Sequence, residues 1–217
     1  MAGRQVAIWA AAVAGFASAA CSADAAEKAT PADTRYFYYL HGKIVEDQGP
    51  RGVSPRYGAY DYPGMIHALR REGLTVISEV RPKDTDPSAY ADKVVGEIRQ
   101  LLRSGVSSSR ITVAGASKGS VIASLVSTRL KEDGVRYVLM ANCNDWLIRE
   151  MDPRLTGEVL SIYEVSDEIG ASCERLVARS PAVKRFEEVR LETGLGHGIV
   201  YRPLHEWLGP AAAWAKR

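Results

Sequence analysis

Short apolar runs alternate with amphipathic helical segments along most of this 217-residue chain. That alternation predicts an α/β fold: a three-layer α/β/α sandwich around a mainly parallel sheet of about six strands. Length and composition agree. The chain suits one domain with a substantial core, and it is 46% hydrophobic and 25% charged, as ordinary globular proteins are. The third observation is local. Gly115-Ala116-Ser117-Lys118-Gly119 sits between an apolar strand and the start of a helix. This G-x-S-x-G pattern is the sequence form of a tight strand-to-helix turn that lifts a serine above a parallel sheet.

The elements follow in order. Residues 36–40 are an aromatic strand ending in His41-Gly42. The Tyr36-Phe37-Tyr38-Tyr39 run reads as sheet core. Residues 43–60, with Gly49-Pro50 and Ser54-Pro55, read as a long loop. Pro63 opens a helix that Gly73 stops after Arg71, and 74–80 is the next strand. Asp86 then caps a helix that starts at Pro87 and runs to Arg103, with Tyr90, Val94, Ile98, Leu101 and Leu102 on one face. Residues 111–114 are the strand before the serine turn, and 117–130 the helix after it. Further strands are expected at 135–143, 159–165 and 186–191, with a short helix at 171–178. The tail from Pro203 is helical, broken or restarted by Pro210.

A net charge of +2 with scattered basic residues gives no footprint for nucleic acid. Residues 1–25 read as a secretory signal peptide: a short basic start, an alanine-rich apolar run and an A-x-A site at Ala23-Asp24-Ala25. Ala17-Ser18-Ala19 is an alternative site. The run is too short for a membrane span, and no later stretch is long and apolar enough. Residues 26–34 form a linker and 35–217 the domain. Ser18-Ala19-Ala20-Cys21 also resembles a lipobox with Ser where Leu is preferred. A lipid anchor at Cys21 therefore stands beside a periplasmic or secreted location. Export places Cys143 and Cys173 where a pair can form a disulfide, and both fall on loops at the same edge of neighbouring strands. Asp84 and Asp86 are turn and cap residues, and no Cys/His cluster or H-E-x-x-H spacing suggests a metal.

In a parallel sheet, functional residues gather at the carboxyl ends of strands. Ser117, Asp167 and His197 all follow predicted strands, in the chain order Ser…Asp…His. With G-x-S-x-G, His41-Gly42 and Gly196-His197-Gly198, this order resembles the α/β-hydrolase family over nearly the whole expected domain. The chain is similar to a small version that lacks the first two strands of the full fold. The resemblance implies Ser117 as nucleophile, His197 as base and Asp167 as acid. It also implies an oxyanion hole made by the backbone N–H of Lys118 and that of Lys43, with Ile44 as a second choice, and it makes His41 a structural residue of its turn. Glu168 and Asp145 remain alternative acids, and His67 and His205 read as surface residues.

The connection 144–158, where such folds often insert a cap, is short. The site should then be shallow or open, roofed partly by 43–60. The resemblance implies a serine hydrolase that cleaves a small-molecule or polymer-end ester or thioester through an acyl-enzyme, without a cofactor. Acyl transfer or amide cleavage by the same residues, and non-catalytic ligand binding on the same scaffold, are the competing readings.

Overall fold

The computed structural model describes residues 34–217 and Met1. The expected leader, Cys21 and nearly all of the expected linker lie outside the described residues. The chain runs β1 (Tyr36–Leu40), α1 (Lys43–Gln48), β2 (Val53–Ser54), β3 (Gly58–Ala59), α2 (Tyr62–Arg71), β4 (Thr75–Ile77) and α3 (Pro87–Arg103). It continues through β5 (Ile111–Ala116), α4 (Lys118–Leu130), β6 (Arg136–Met140), β7 (Thr156–Glu164), α5 (Glu174–Ala178), β8 (Ala182–Leu191) and α6 (His205–Ala215). Six strands form the central sheet in the order β4-β1-β5-β6-β7-β8, with every neighbouring pair parallel.

Alternation along the strands builds the three layers. Phe37 and Tyr39 of β1, with Ala114 and Ala116 of β5, pack under α2 and α6. Tyr38 and Leu40, with Ile111 and Val113, pack under α3 and α4. Both faces of the sheet are thus covered, as a parallel sheet requires. From β1 the chain passes to β4 on one side; from β4 it returns past β1 to β5 on the other. The strand order therefore reverses between β1 and β5, which is where such sheets place their sites.

Helix α4 is buried along most of its length, so its serines need internal partners. Ser124 Oγ donates to Ser120 O at 2.8 Å and Ser127 Oγ donates to Thr156 O at 2.9 Å. At the other end of the sheet, Arg35 Nη1 donates to Ala215 O at 2.9 Å and to Arg217 O at 3.1 Å, tying the start of β1 to the end of α6.

The structure departs from the sequence reading in several places: β4 and β6 are shorter than the expected 74–80 and 135–143, and β7 starts three residues before the expected 159. Residues 43–60 are not a long loop but α1 followed by the β2–β3 hairpin. Lys-Ile-Val-Glu-Asp-Gln turns Val45 and Glu46 inward as one helical turn, and Gly49 (φ 83°) ends it. Pro210 does not break α6. Burial of Trp207, Leu208, Ala211 and Trp214 around it offsets the lost backbone hydrogen bond. Strand β8 starts earlier than expected, because Ala182 to Leu191 pair along β7 through an irregularity at Gly157/Glu158. The short helix begins only at Glu174, after Cys173.

Ser117 holds φ 54° and ψ −118°, a strained backbone for a residue with a side chain. It is tolerated because Gly115 and Gly119 let the turn close. A Cβ on Gly119 would collide with Leu40 O of β1, and one on Gly115 with Gly119 O. Gly96, by contrast, lies in α3 with nothing within 4 Å of its missing Cβ. Urea unfolding should separate the two: Gly119→Ala costs about 3 kcal/mol or more, whereas Gly96→Ala stabilises by about 1 kcal/mol.

Candidate active site

Three side chains from three strand ends meet at the carboxyl edge of the sheet. Ser117 stands between β5 and α4. His197 lies in a short 3₁₀ turn (Gly196–Val200) after β8, and Asp167 lies in the loop after β7. His197 Nε2 is 2.9 Å from Ser117 Oγ, and His197 Nδ1 is 2.9 Å and 3.1 Å from the two Asp167 carboxylate oxygens. An ionised carboxylate only accepts, so Nδ1 carries the proton and Nε2 faces the serine hydroxyl as acceptor. The Asp167 carboxylate is fully covered. Burial pushes its pKa up, but the hydrogen bond and charge of His197 and the backbone N–H groups of Ile169 and Gly170 outweigh it. They hold Asp167 below the usual carboxylate range.

The loops that carry the acid and the histidine are gathered by Glu164, the last residue of β7. Its buried carboxylate accepts from Thr193 N and Thr193 Oγ1, each at 2.8 Å, and from Ser166 Oγ at 2.9 Å. Burial raises its pKa, and these donors outweigh that and lower it. The acid loop is also joined to the end of β6. Cys143 and Cys173 form a disulfide, Ala171 N donates to Asn142 O at 2.6 Å, and Asn144 Nδ2 donates to Ile169 O at 3.1 Å. Asn142 Nδ2 donates to the carbonyl of Ser117 at 3.0 Å.

On the other flank, β1 delivers a second helix start beside the serine. Lys118 is the first residue of α4 and Lys43 the first of α1, positions whose N–H groups have no partner within their helices. A Cβ on Gly42 would lie 3.6 Å from Ser117 Cβ, so this backbone runs directly against the serine. A buried charge cluster joins the two helix starts. Glu46 of α1 accepts from Arg81 Nε at 2.7 Å and from Lys118 Nζ, and Lys118 Nζ also donates to Thr85 O at 2.6 Å. His41 accepts from Arg81 N at Nε2 (3.0 Å), so its Nδ1 donates to Gly42 O (2.8 Å). Burial first, and the Arg81 charge second, push its pKa down to about 4. His41 is therefore a neutral structural residue at neutral pH.

Two hollows open from Ser117. One, of about 410 Å³, runs along Pro87, Val121, Ala141, Trp146 and Ile169; the other, of about 300 Å³, runs past His197 to Tyr57, Tyr60 and Tyr201. Tyr57 of the hairpin tilts against His197 with ring centroids 6.0 Å apart, so the segment 43–60 does flank the site.

The alternative acids are engaged elsewhere. Glu168 pairs with Arg56, and Asp145 with Arg149 and Arg175, on the surface. His67 and His205 are exposed. Sequence reasoning missed Glu164, Glu46, Arg81, Trp146 and Ile169. A carboxylate closing the buried strand Ser161-Ile162-Tyr163-Glu164 was a readable signal, because a charge there needs several donors. Nothing local marked Glu46 or Arg81, which meet only through the fold. Among the described residues no group of three or more His, Cys, Asp or Glu could hold a metal, and no helix is long and apolar enough to cross a membrane.

No family model matches the chain, and no curated protein matches it. Solved structures do resemble it. SOBER1 of Arabidopsis thaliana aligns at 11% identity over 85% of this chain and 98% of its own, with a TM-score of 0.55. Est1E from Butyrivibrio proteoclasticus aligns at 15% over 87% and 88%, with a TM-score of 0.55. A hyperthermophilic esterase from the archaeon Pyrobaculum calidifontis aligns at 19% over 84% and 76%, with a TM-score of 0.54. The likeness is one of fold: a three-layer sandwich matching a reduced α/β-hydrolase architecture.

Two outcomes follow from the supports of the site. The lowered pKa values of Glu164 and Asp167 stabilise the fold at neutral pH. That contribution disappears as pH falls below the ordinary carboxylate range and through their folded values. Glu164→Gln should cost about 3 kcal/mol at neutral pH and flatten the acid limb of a urea-midpoint against pH curve. Replacing Cys143 and Cys173 together by Ala removes a bridge across a sequence separation of 30. Thermal unfolding should show a loss of about 3–4 kcal/mol, matched by reductant acting on the unaltered protein.

Proposed function

We propose that this chain is a serine hydrolase that cleaves a carboxylic ester or thioester through an acyl-enzyme on Ser117. The observation that carries the reading is the hydrogen-bonded line Ser117–His197–Asp167 at the head of α4. A serine hydroxyl is a weak nucleophile at neutral pH and needs a base within hydrogen-bond reach. In this reading Ser117 Oγ attacks the carbonyl carbon while His197 Nε2 takes its proton. The carbonyl becomes an oxyanion facing the N–H groups of Lys118 and Lys43, the first residues of two helices. The intermediate collapses, and His197 gives its proton to the departing alcohol or thiol. Water, deprotonated by His197, then attacks the acyl-enzyme and releases the acid with Ser117 restored. Asp167 fixes the imidazole tautomer and balances the imidazolium charge throughout.

The leader-like residues 1–25 and the Cys143–Cys173 disulfide support an exported protein, since such bridges persist in oxidising compartments.

A fluorophosphonate probe should label the purified protein at Ser117, with the modified residue identified by peptide mass mapping. Ser117→Ala should lose the label, and kcat on an activated ester should drop by roughly four to six powers of ten. Well-folded wild-type protein that neither takes the label nor cleaves esters would sink the reading.

A further inference from the structure

The two hollows at Ser117 divide the substrate. An sp² carbonyl bound to a serine has three groups to place. Its oxygen faces the N–H donors, its leaving oxygen or sulfur must lie within reach of His197 Nε2, and its acyl chain takes the remaining direction. His197 lines the tyrosine-walled hollow and is absent from the walls of the larger one. The leaving group therefore departs along Tyr57 and Tyr201, and the acyl chain occupies the 410 Å³ cleft between α4 and the loops after β6 and β7.

That cleft offers an acyl chain almost nothing polar. Its charged lining residues, Lys43 and Lys118, are each engaged: Lys43 Nζ pairs with Asp47 at 2.6 Å, and Lys118 Nζ with Glu46 and Thr85 O. Its amides are engaged too. Asn142 Nδ2 donates to Ser117 O, and Asn144 donates to Ile169 O while its Oδ1 accepts from Leu147 N. What faces the space is Pro87, Val121, Ala141, Trp146 and Ile169. Trp146 and Ile169 stand 51% and 46% exposed along the cleft. Large apolar side chains left open at a concave mouth mark a surface that an apolar ligand covers.

We propose that the substrate is an ester or thioester of a neutral, unsubstituted aliphatic acid of medium length, with its hydrocarbon chain laid between Trp146, Ile169 and Val121. The assignment rests on the serine-hydrolase reading and adds the acyl specificity to it. A carboxylate at the far end of the acyl chain meets only the ammonium groups of Lys43 and Lys118, each already paired with a carboxylate, and an apolar wall that solvates it poorly. An acetyl group leaves most of the apolar wall uncovered.

The test is kcat/KM for p-nitrophenyl acetate, butyrate and octanoate and for the succinate monoester. Each added pair of buried methylenes should raise kcat/KM roughly tenfold to fifteenfold, and the succinate monoester should fall at least about tenfold below the butyrate. Trp146→Ala, a substitution at an exposed position, should lower the octanoate-to-acetate ratio at least about fivefold. Val121→Phe, which narrows the cleft from the α4 side, should lower the same ratio. Acetate preferred over octanoate, or an octanoate-to-acetate ratio unmoved in both variants, overturns the acyl assignment. A protein that labels at Ser117 and hydrolyses acetate with no chain preference loses this inference and keeps the serine-hydrolase reading. A protein that neither labels nor hydrolyses any of the esters loses both.

Discussion

A serine held with a positive φ is the constraint around which this molecule is arranged. The Ser117 backbone sits where side-chain-bearing residues rarely go, a conformation that costs on the order of 1–3 kcal/mol. The surrounding structure over-determines it. Below the turn, β5 is hydrogen-bonded between β1 and β6. Beyond it, α4 is packed along most of its length against the sheet and α3. Gly119 lets that helix start directly against the Leu40 carbonyl, so the end of β1 and the start of α4 are pressed together. This approach also brings the Lys43 end of α1 beside the serine. Close packing at one glycine therefore sets the spacing of two helix starts and the hydroxyl between them.

Two buried carboxylates hold the remainder of the site, on opposite flanks. Glu164 collects donors from the loop after its own strand and from the turn after β8, so the loops carrying Asp167 and His197 share one anchor. Glu46 does the corresponding work between α1 and α4 through Arg81 and Lys118. Charges placed in the interior are tolerable only when nearly every lone pair and proton is engaged, and such networks rigidify what they join. Ser117 and Asp167 are also held through their own backbones, by Ser117 N donating to Met140 O and Asp167 N donating to Glu164 O, so the two clusters and the Cys143–Cys173 bridge fix loops that are already tied to the strand ends.

Much of this was legible in the sequence where a residue's role is local. Gly115, Ser117 and Gly119 announce the turn because only that spacing lets a strand meet a helix so tightly. Asp86 and Pro87 announce the start of α3. The histidine and the acid were reachable because each follows a strand, and parallel strands deliver their ends to one edge. The α1 turn was obscured by Gly49-Pro50 and Ser54-Pro55, whose breaking signals dominate a six-residue helix stabilised by tertiary burial of Val45 and Glu46. The continuity of α6 through Pro210 was hidden for the same reason: packing of Trp207 and Trp214 outweighs a local rule. The Glu46–Arg81 pair and the apolar cleft join residues far apart in the chain, and no periodicity encodes such meetings.

The ends of the described domain have a geometric consequence of their own. Arg35 clasps the carbonyls of Ala215 and Arg217 where β1 begins, while Ser117 lies where the strands finish. Both ends of the described domain, at Arg35 and Arg217, therefore share the pole opposite the cleft. A tether at either end, whether a surface support, a fused module or an affinity handle, would orient the protein with its mouth facing outward. Joining the two ends by a short linker would close the backbone into a circle whose seam lies a full strand length away from the chemistry.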